Sequence, residues 1–89
     1  MATRRENERK FRNWVELPDG GRRYWRDVPG QHTGMARYVK IVDAEENTVS
    51  LVQEIYNGEG ALIALHQKYP KDTGHQMLVD DVDDEDTSP

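Results

Sequence analysis

From Phe11 onward, apolar and polar residues alternate with a two-residue period. Phe11, Asn13, Val15 and Leu17 fall on one face of an extended segment and Arg12, Trp14 and Glu16 on the other. Pro18-Asp19-Gly20-Gly21 then reads as a turn, because proline presets its own φ and glycine accepts a positive one. Arg22 to Val28 returns as a second strand, with Tyr24, Arg26 and Val28 on one face and Arg23, Trp25 and Asp27 on the other, which predicts Trp14 meeting Trp25 across the hairpin. After the loop Pro29 to Gly34, three more segments carry the β-branched and aromatic residues of strands: Met35 to Asp43, Thr48 to Tyr56 and Ala61 to Tyr69. The pattern predicts a mostly β fold, a five-strand antiparallel meander free to curl, with a small α+β fold as the alternative. Gln76 to Val79 either adds a short further strand or packs as coil.

Register in the last hairpin follows from sharing the apolar residues on one face, since a slip of one residue exchanges the faces. A three-residue loop over Asn57 to Glu59 sets Ile55 opposite Ala61, Gln53 opposite Ile63 and Leu51 opposite Leu65. That pairing sends Ser50, Glu54, His66 and Lys68 to the other face, so His66 is expected to point away from the main core.

The ends of the chain read differently. Residues 1–10 have no apolar stripe, though Glu6 and Lys10 are spaced to pair across a helical turn, and they predict a short helix or a flexible basic arm. Residues 80–89 hold Asp80, Asp81, Asp83, Asp84, Glu85 and Asp86 with too little apolar surface to offset ordering, and predict a disordered acidic tail. One β-rich domain over 11–79 remains.

Composition narrows the function classes. Charged residues make up 33% of the chain and hydrophobic ones 35%, so a core of this size must lean on its aromatics. The absence of cysteine removes disulfide scaffolds and thiolate zinc sites and points to a reducing, cytoplasmic setting. No apolar run suits a bilayer and the N-terminus has no hydrophobic signal segment, so no membrane partner is expected. Charge is separated along the chain: residues 1–40 hold ten Lys or Arg against five acids, for +5, and residues 41–89 hold two against twelve, for −10.

The densest chemistry lies in His66-Gln67-Lys68-Tyr69-Pro70-Lys71-Asp72-Thr73-Gly74-His75. Metal-free cleavage of RNA needs a base, an acid and a cation, which His66, His75 and Lys68 can supply, with Thr73 or the Gly74 amide holding a phosphate oxygen. His66, Asp72, His75 and His32 also suit a divalent ion by type, but separations of nine and six residues match no fixed ligand spacing, so neither metal nor cofactor is expected. Against this stand ordinary structural roles: strand-face polarity, turn capping and solvated charge. A second constellation, Arg22, Arg23, Trp25, Arg26, Arg37 and Tyr38, mixes cations with stacking surfaces, as a single-strand nucleic-acid groove does.

The expectation is a small non-enzymatic accessory or inhibitor protein that binds a larger protein or nucleoprotein partner. The alternatives are a compact ribonuclease or toxin-like enzyme using His66, Lys68 and His75, and a nucleic-acid-binding module using the arginine and aromatic strands. An exposed edge strand leaves self-association open.

Overall fold

The structure, a computed structural model, describes residues 2–30 and 34–78. One helix, α1 (Arg4–Phe11), precedes six strands: β1 (Asn13–Glu16), β2 (Arg22–Pro29), β3 (Met35–Val42), β4 (Thr48–Tyr56), β5 (Leu62–Tyr69) and β6 (Gly74–Met77). They form one antiparallel sheet in chain order, so the meander has six strands rather than five, the last built from Gly74–Met77. The acidic stretch 80–89 and His32 lie outside the described residues.

Three hairpins close with the same turn. In each, an amide and a carbonyl bracket three loop residues: Leu17 to Gly21, Asp43 to Asn47, and Asn57 to Ala61. The third loop residue takes a positive φ in every case, +89° at Gly20, +70° at Glu46 and +85° at Gly60. This is a type I turn followed by a left-handed residue, a common three-residue hairpin loop. Asp43 and Asn57 support their turns by accepting, through Oδ1, hydrogen bonds from amides two and four residues on.

The turn explains a shift in register. Because Gly60 must hold the left-handed position, the loop is Gly58 to Gly60 and not Asn57 to Glu59, and Tyr56 pairs with Leu62. Ile63 is then an extra residue, so Ile55 pairs with Ala64 and Gln53 with His66. His66 therefore lies on the face that carries the core, opposite to the sequence expectation, while Leu65 moves to the other face beside Glu54. The first hairpin differs as well: Phe11 ends α1, and Trp14 pairs with Tyr24 while Asn13 pairs with Trp25, so the two tryptophans point to opposite faces.

The inner face is the one covered by α1. Phe11, Tyr24 and Val42 form its buried cluster, with Tyr38 and Leu51 packed beside them. The Tyr24 ring lies 5.9 Å from Phe11 and 6.1 Å from Trp14. The helix begins with a reciprocal cap in which the Glu6 amide donates to Thr3 Oγ1 at 3.2 Å and the Thr3 amide to Glu6 Oε1 at 2.8 Å. Its backbone lies over β1 and β2 and its side chains reach β3 at Val42 and Lys40, leaving the rest of the inner face toward β6 open. No helix among the described residues is long and apolar enough to cross a membrane.

Two glycines are fixed by close approach, Gly21, where a Cβ would lie 2.2 Å from the Val42 carbonyl oxygen, and Gly34. A Cβ on Gly34 would sit 1.9 Å from the Tyr56 carbonyl oxygen. Gly34→Ala is therefore expected to push β3 off β4 and destabilise the domain by about 2–3 kcal/mol, as overpacking does, read as a lower urea midpoint. An unchanged midpoint would show that the two strands are free to separate there.

Candidate functional site

Two cross-strand rows occupy the open end of the inner face. Following the ladder from β2 to β6, Arg26 pairs with Tyr38, Tyr38 with Gln53, Gln53 with His66 and His66 with His75. Two residues along each strand, Val28, Ala36, Ile55, Ala64 and Met77 make a parallel apolar row. The polar row and the apolar row thus lie side by side across five strands, an outcome of period-two alternation combined with the register. A trough of about 760 Å³ runs over the apolar row, with Tyr38, Gln53 and His75 on its polar side.

Cations stand over the polar row. Arg26 lies 5.3 Å from the Tyr38 ring centroid, and Lys68, released from the ladder as an extra residue, lies 5.9 Å from the same ring. Gln53 donates to the Tyr38 hydroxyl at 3.2 Å, which fixes the ring between them. Among the described residues, neither Arg26 nor Lys68 forms an ion pair with a carboxylate. Both are exposed, so their charge is presented to solvent.

His66, Lys68 and His75 do come to one end of the site. The His66 and His75 rings are 4.7 Å apart, tilted by 58°. His66 Nε2 lies 2.6 Å from Asp72 Oδ1, which places the ring hydrogen on Nε2 because a carboxylate accepts. Nδ1 of the same ring is buried with no hydrogen-bond partner. The Gly74 amide donates to Asp72 Oδ1 at 2.9 Å. That bond first, and the one to His66 second, hold the Asp72 carboxyl below its ordinary value. Thr73 is occupied too: its hydroxyl accepts from the Gln67 amide at 3.3 Å and donates to the Gly74 carbonyl at 3.2 Å. The donors that sequence reasoning offered to a phosphate are consumed by the turn that joins β5 to β6. Among the described residues no three His, Asp or Glu side chains converge as a metal site.

The arginine and aromatic constellation is divided by the sheet. Arg26 and Tyr38 belong to the polar row. Arg23, Trp25 and Arg37 lie on the outer face, where Arg23 rests 5.0 Å from the Trp25 ring and Arg37 makes a two-pronged pair with Asp27 at 2.7 and 3.0 Å. Arg22 is buried under α1, bound to Glu8 at 2.7 Å and Glu16 at 2.9 Å. Gln53 is the site residue that sequence reasoning did not single out, and only the register of β3, β4 and β5 places it between Tyr38 and His66.

A third polar centre braces the helix. Glu46 accepts from Asn7 Nδ2 at 3.0 Å, from Arg4 Nε at 3.2 Å and from the Tyr24 hydroxyl. Lys40 Nζ closes the network on Asn7 Oδ1 at 2.9 Å. Burial pushes the Glu46 carboxyl up, but the bonds from Asn7, Tyr24 and Arg4 outweigh it and hold the group below its ordinary value. Burial first, then the bond to Glu46, raises the Tyr24 hydroxyl, which stays protonated as a donor. Asn7, Tyr24 and Glu46 at the heart of this centre are buried, so its chemistry is structural.

The chain matches no protein-family model, no curated protein and no solved structure, and the reading of its site rests on the geometry above.

Proposed function

We propose that the protein acts by binding, as a non-enzymatic accessory or inhibitor protein that receives an extended segment of a larger protein or nucleoprotein partner across the two rows of its inner face. The observation that carries this is the pairing of an apolar trough with two exposed cations, Arg26 and Lys68, that rest on an aromatic ring and not on carboxylates. Apolar floor and cationic rim together suit a segment that brings aliphatic side chains and negative charge, from carboxylates or phosphates. The five-strand row spans roughly 19 Å at the usual strand spacing of about 4.8 Å, the length of about six extended residues.

The ribonuclease alternative asks for two imidazoles with nitrogens directed at a substrate. His66 gives one nitrogen to Asp72 and buries the other, leaving His75 as the exposed imidazole of the pair. The test captures partners from cell extract on wild-type protein and on the Arg26→Glu/Lys68→Glu variant, then purifies what is captured and measures affinity by calorimetry. A purified partner whose affinity falls at least tenfold on charge reversal and stays within twofold in His75→Ala supports the proposal. A partner indifferent to charge reversal overturns it. So does added RNA that the wild type cleaves and His75→Ala does not.

A further inference from the structure

We propose that the first occupant of the trough is the chain's own acidic segment, residues 79–86, which folds back over the inner face and must be displaced before a partner binds. This rests on the reading of that face as the binding surface and adds its regulation. The carrying juxtaposition is that β6, which ends at Met77, delivers the chain at the trough itself: Met77 is the last member of the apolar row and lines the trough, and the Leu78 amide still donates to the Ile63 carbonyl at 2.9 Å. Eleven residues follow Leu78. At about 3.3 Å each they reach roughly 36 Å, against about 19 Å for the four strand spacings from β6 to Arg26 on β2.

Composition matches the site. Residues 79–86 hold Val79 and Val82 among six acids, an aliphatic and anionic segment for an apolar floor with a cationic rim. Lys68 and Arg26 both stand over the Tyr38 ring, so the acids meet the two cations together, past β5 and β4 from the chain's exit. A tethered segment acts at an effective concentration of order millimolar, so even a weak contact competes with any free anionic ligand. Nucleic acid meets the same six acids as a repulsive screen, which favours a partner that brings enough apolar contact to displace them.

The experiment uses the full chain. Because it contains no cysteine, Thr87→Cys provides a single site for a nitroxide spin label. At low salt the amide signals of Arg26, Tyr38, Gln53 and Ile55 are expected to lose more than half their intensity. They should recover near 1 M salt, where the screening length falls to about 3 Å, and in the labelled Arg26→Glu/Lys68→Glu variant. Broadening confined to Gly74–Leu78, or unaffected by charge reversal, overturns the proposal. So does broadening that persists when labelled chain is mixed with isotopically enriched, unlabelled chain, which would assign the occupant to a second copy. These readouts use the protein alone. Loss of partner affinity on charge reversal stands or falls separately, so failure of the fold-back leaves the binding reading intact.

Discussion

Glu46→Ala is expected to destabilise the domain by about 3 kcal/mol, a large share of what a chain of this size has to lose. The reason is what the carboxylate leaves behind. Asn7 and Tyr24 are 1% and 0% exposed, and both donate to Glu46. Without it, two buried donors are stranded, at about 1–3 kcal/mol each, and the Arg22–Tyr24 contact at 3.4 Å is too long to compensate. Glu46 also holds a left-handed backbone, φ +70°, where the equivalent residue of the other two hairpins is glycine. A non-glycine residue there costs roughly 1–2 kcal/mol, so a side chain has been kept against local preference. Glu46→Gly should accordingly fall about 0.5–1 kcal/mol short of the loss in Glu46→Ala, since it relieves the backbone cost but gives up chain entropy. Urea midpoints of the two variants check this, and an Ala variant within 1 kcal/mol of wild type would mean that the network does not hold the helix.

The same carboxylate sets a pH dependence. Its folded pKa is depressed, so the stability it contributes is fully present above its unfolded pKa, the ordinary glutamate value of 4.5, and is lost as pH falls through the folded value. Asp43 and Asp72 are shifted in the same direction, chiefly by backbone amides, and weaken the native state in the same acidic range. Glu46→Gln separates them. The stability gap between wild type and Glu46→Gln is expected to be constant from pH 6 to 7 and to close below about pH 4.5, measured as urea midpoints across that range. A gap that stays open in acid would assign the wild-type acid loss to the aspartates.

The strands were legible in the sequence because alternation of apolar and polar residues does not depend on partners. Their pairing was not, and the reason is physical. Apolar residues occur on both faces of β4 and β5: Leu51 and Ile55 look inward while Val52 and Leu65 look outward, all half-buried. Hydrophobic matching then cannot choose between registers; the left-handed requirement at Gly60 shifts the pairing by two residues, and the bulge at Ile63 exchanges the faces. The site inherits this. Arg26, Tyr38, His66 and His75 were each visible as chemistry, but the row they form with Gln53 exists only once the bulge at Ile63 has set the pairing. Helix α1 was hard to see for a related reason: of its eight residues only Asn7 and Phe11 are buried, too few to draw a stripe. Thr3 and Glu6, three residues apart in the capping-box pattern, were the available signal. Glu46 had one as well, since it occupies the turn position that glycine fills in the other two hairpins.

Phe11→Ala should lose about 3–4 kcal/mol, in the range for removing a buried aromatic ring, and should do so unevenly. Phe11, 3% exposed, is the one apolar residue that α1 buries against the sheet, where it meets Tyr24 and Val42. Its other anchors, Arg4, Asn7 and Glu8, are polar, the first two held by Glu46 and the third by Arg22. Once the ring is gone, nothing apolar holds the helix, whereas β3, β4 and β5 keep their ladders and the packing of Ala36, Val39 and Ala64. Native-state hydrogen exchange should therefore show α1 and β1 amides exchanging through a local opening, while those of β3 to β5 remain the slowest in the domain. Equal acceleration everywhere would instead make α1 part of one cooperative unit. The distinction bears on function: a helix that opens alone uncovers Tyr24 and Trp14 on the same inner face as the two rows. It would lengthen the surface a partner segment can contact from five strands to six.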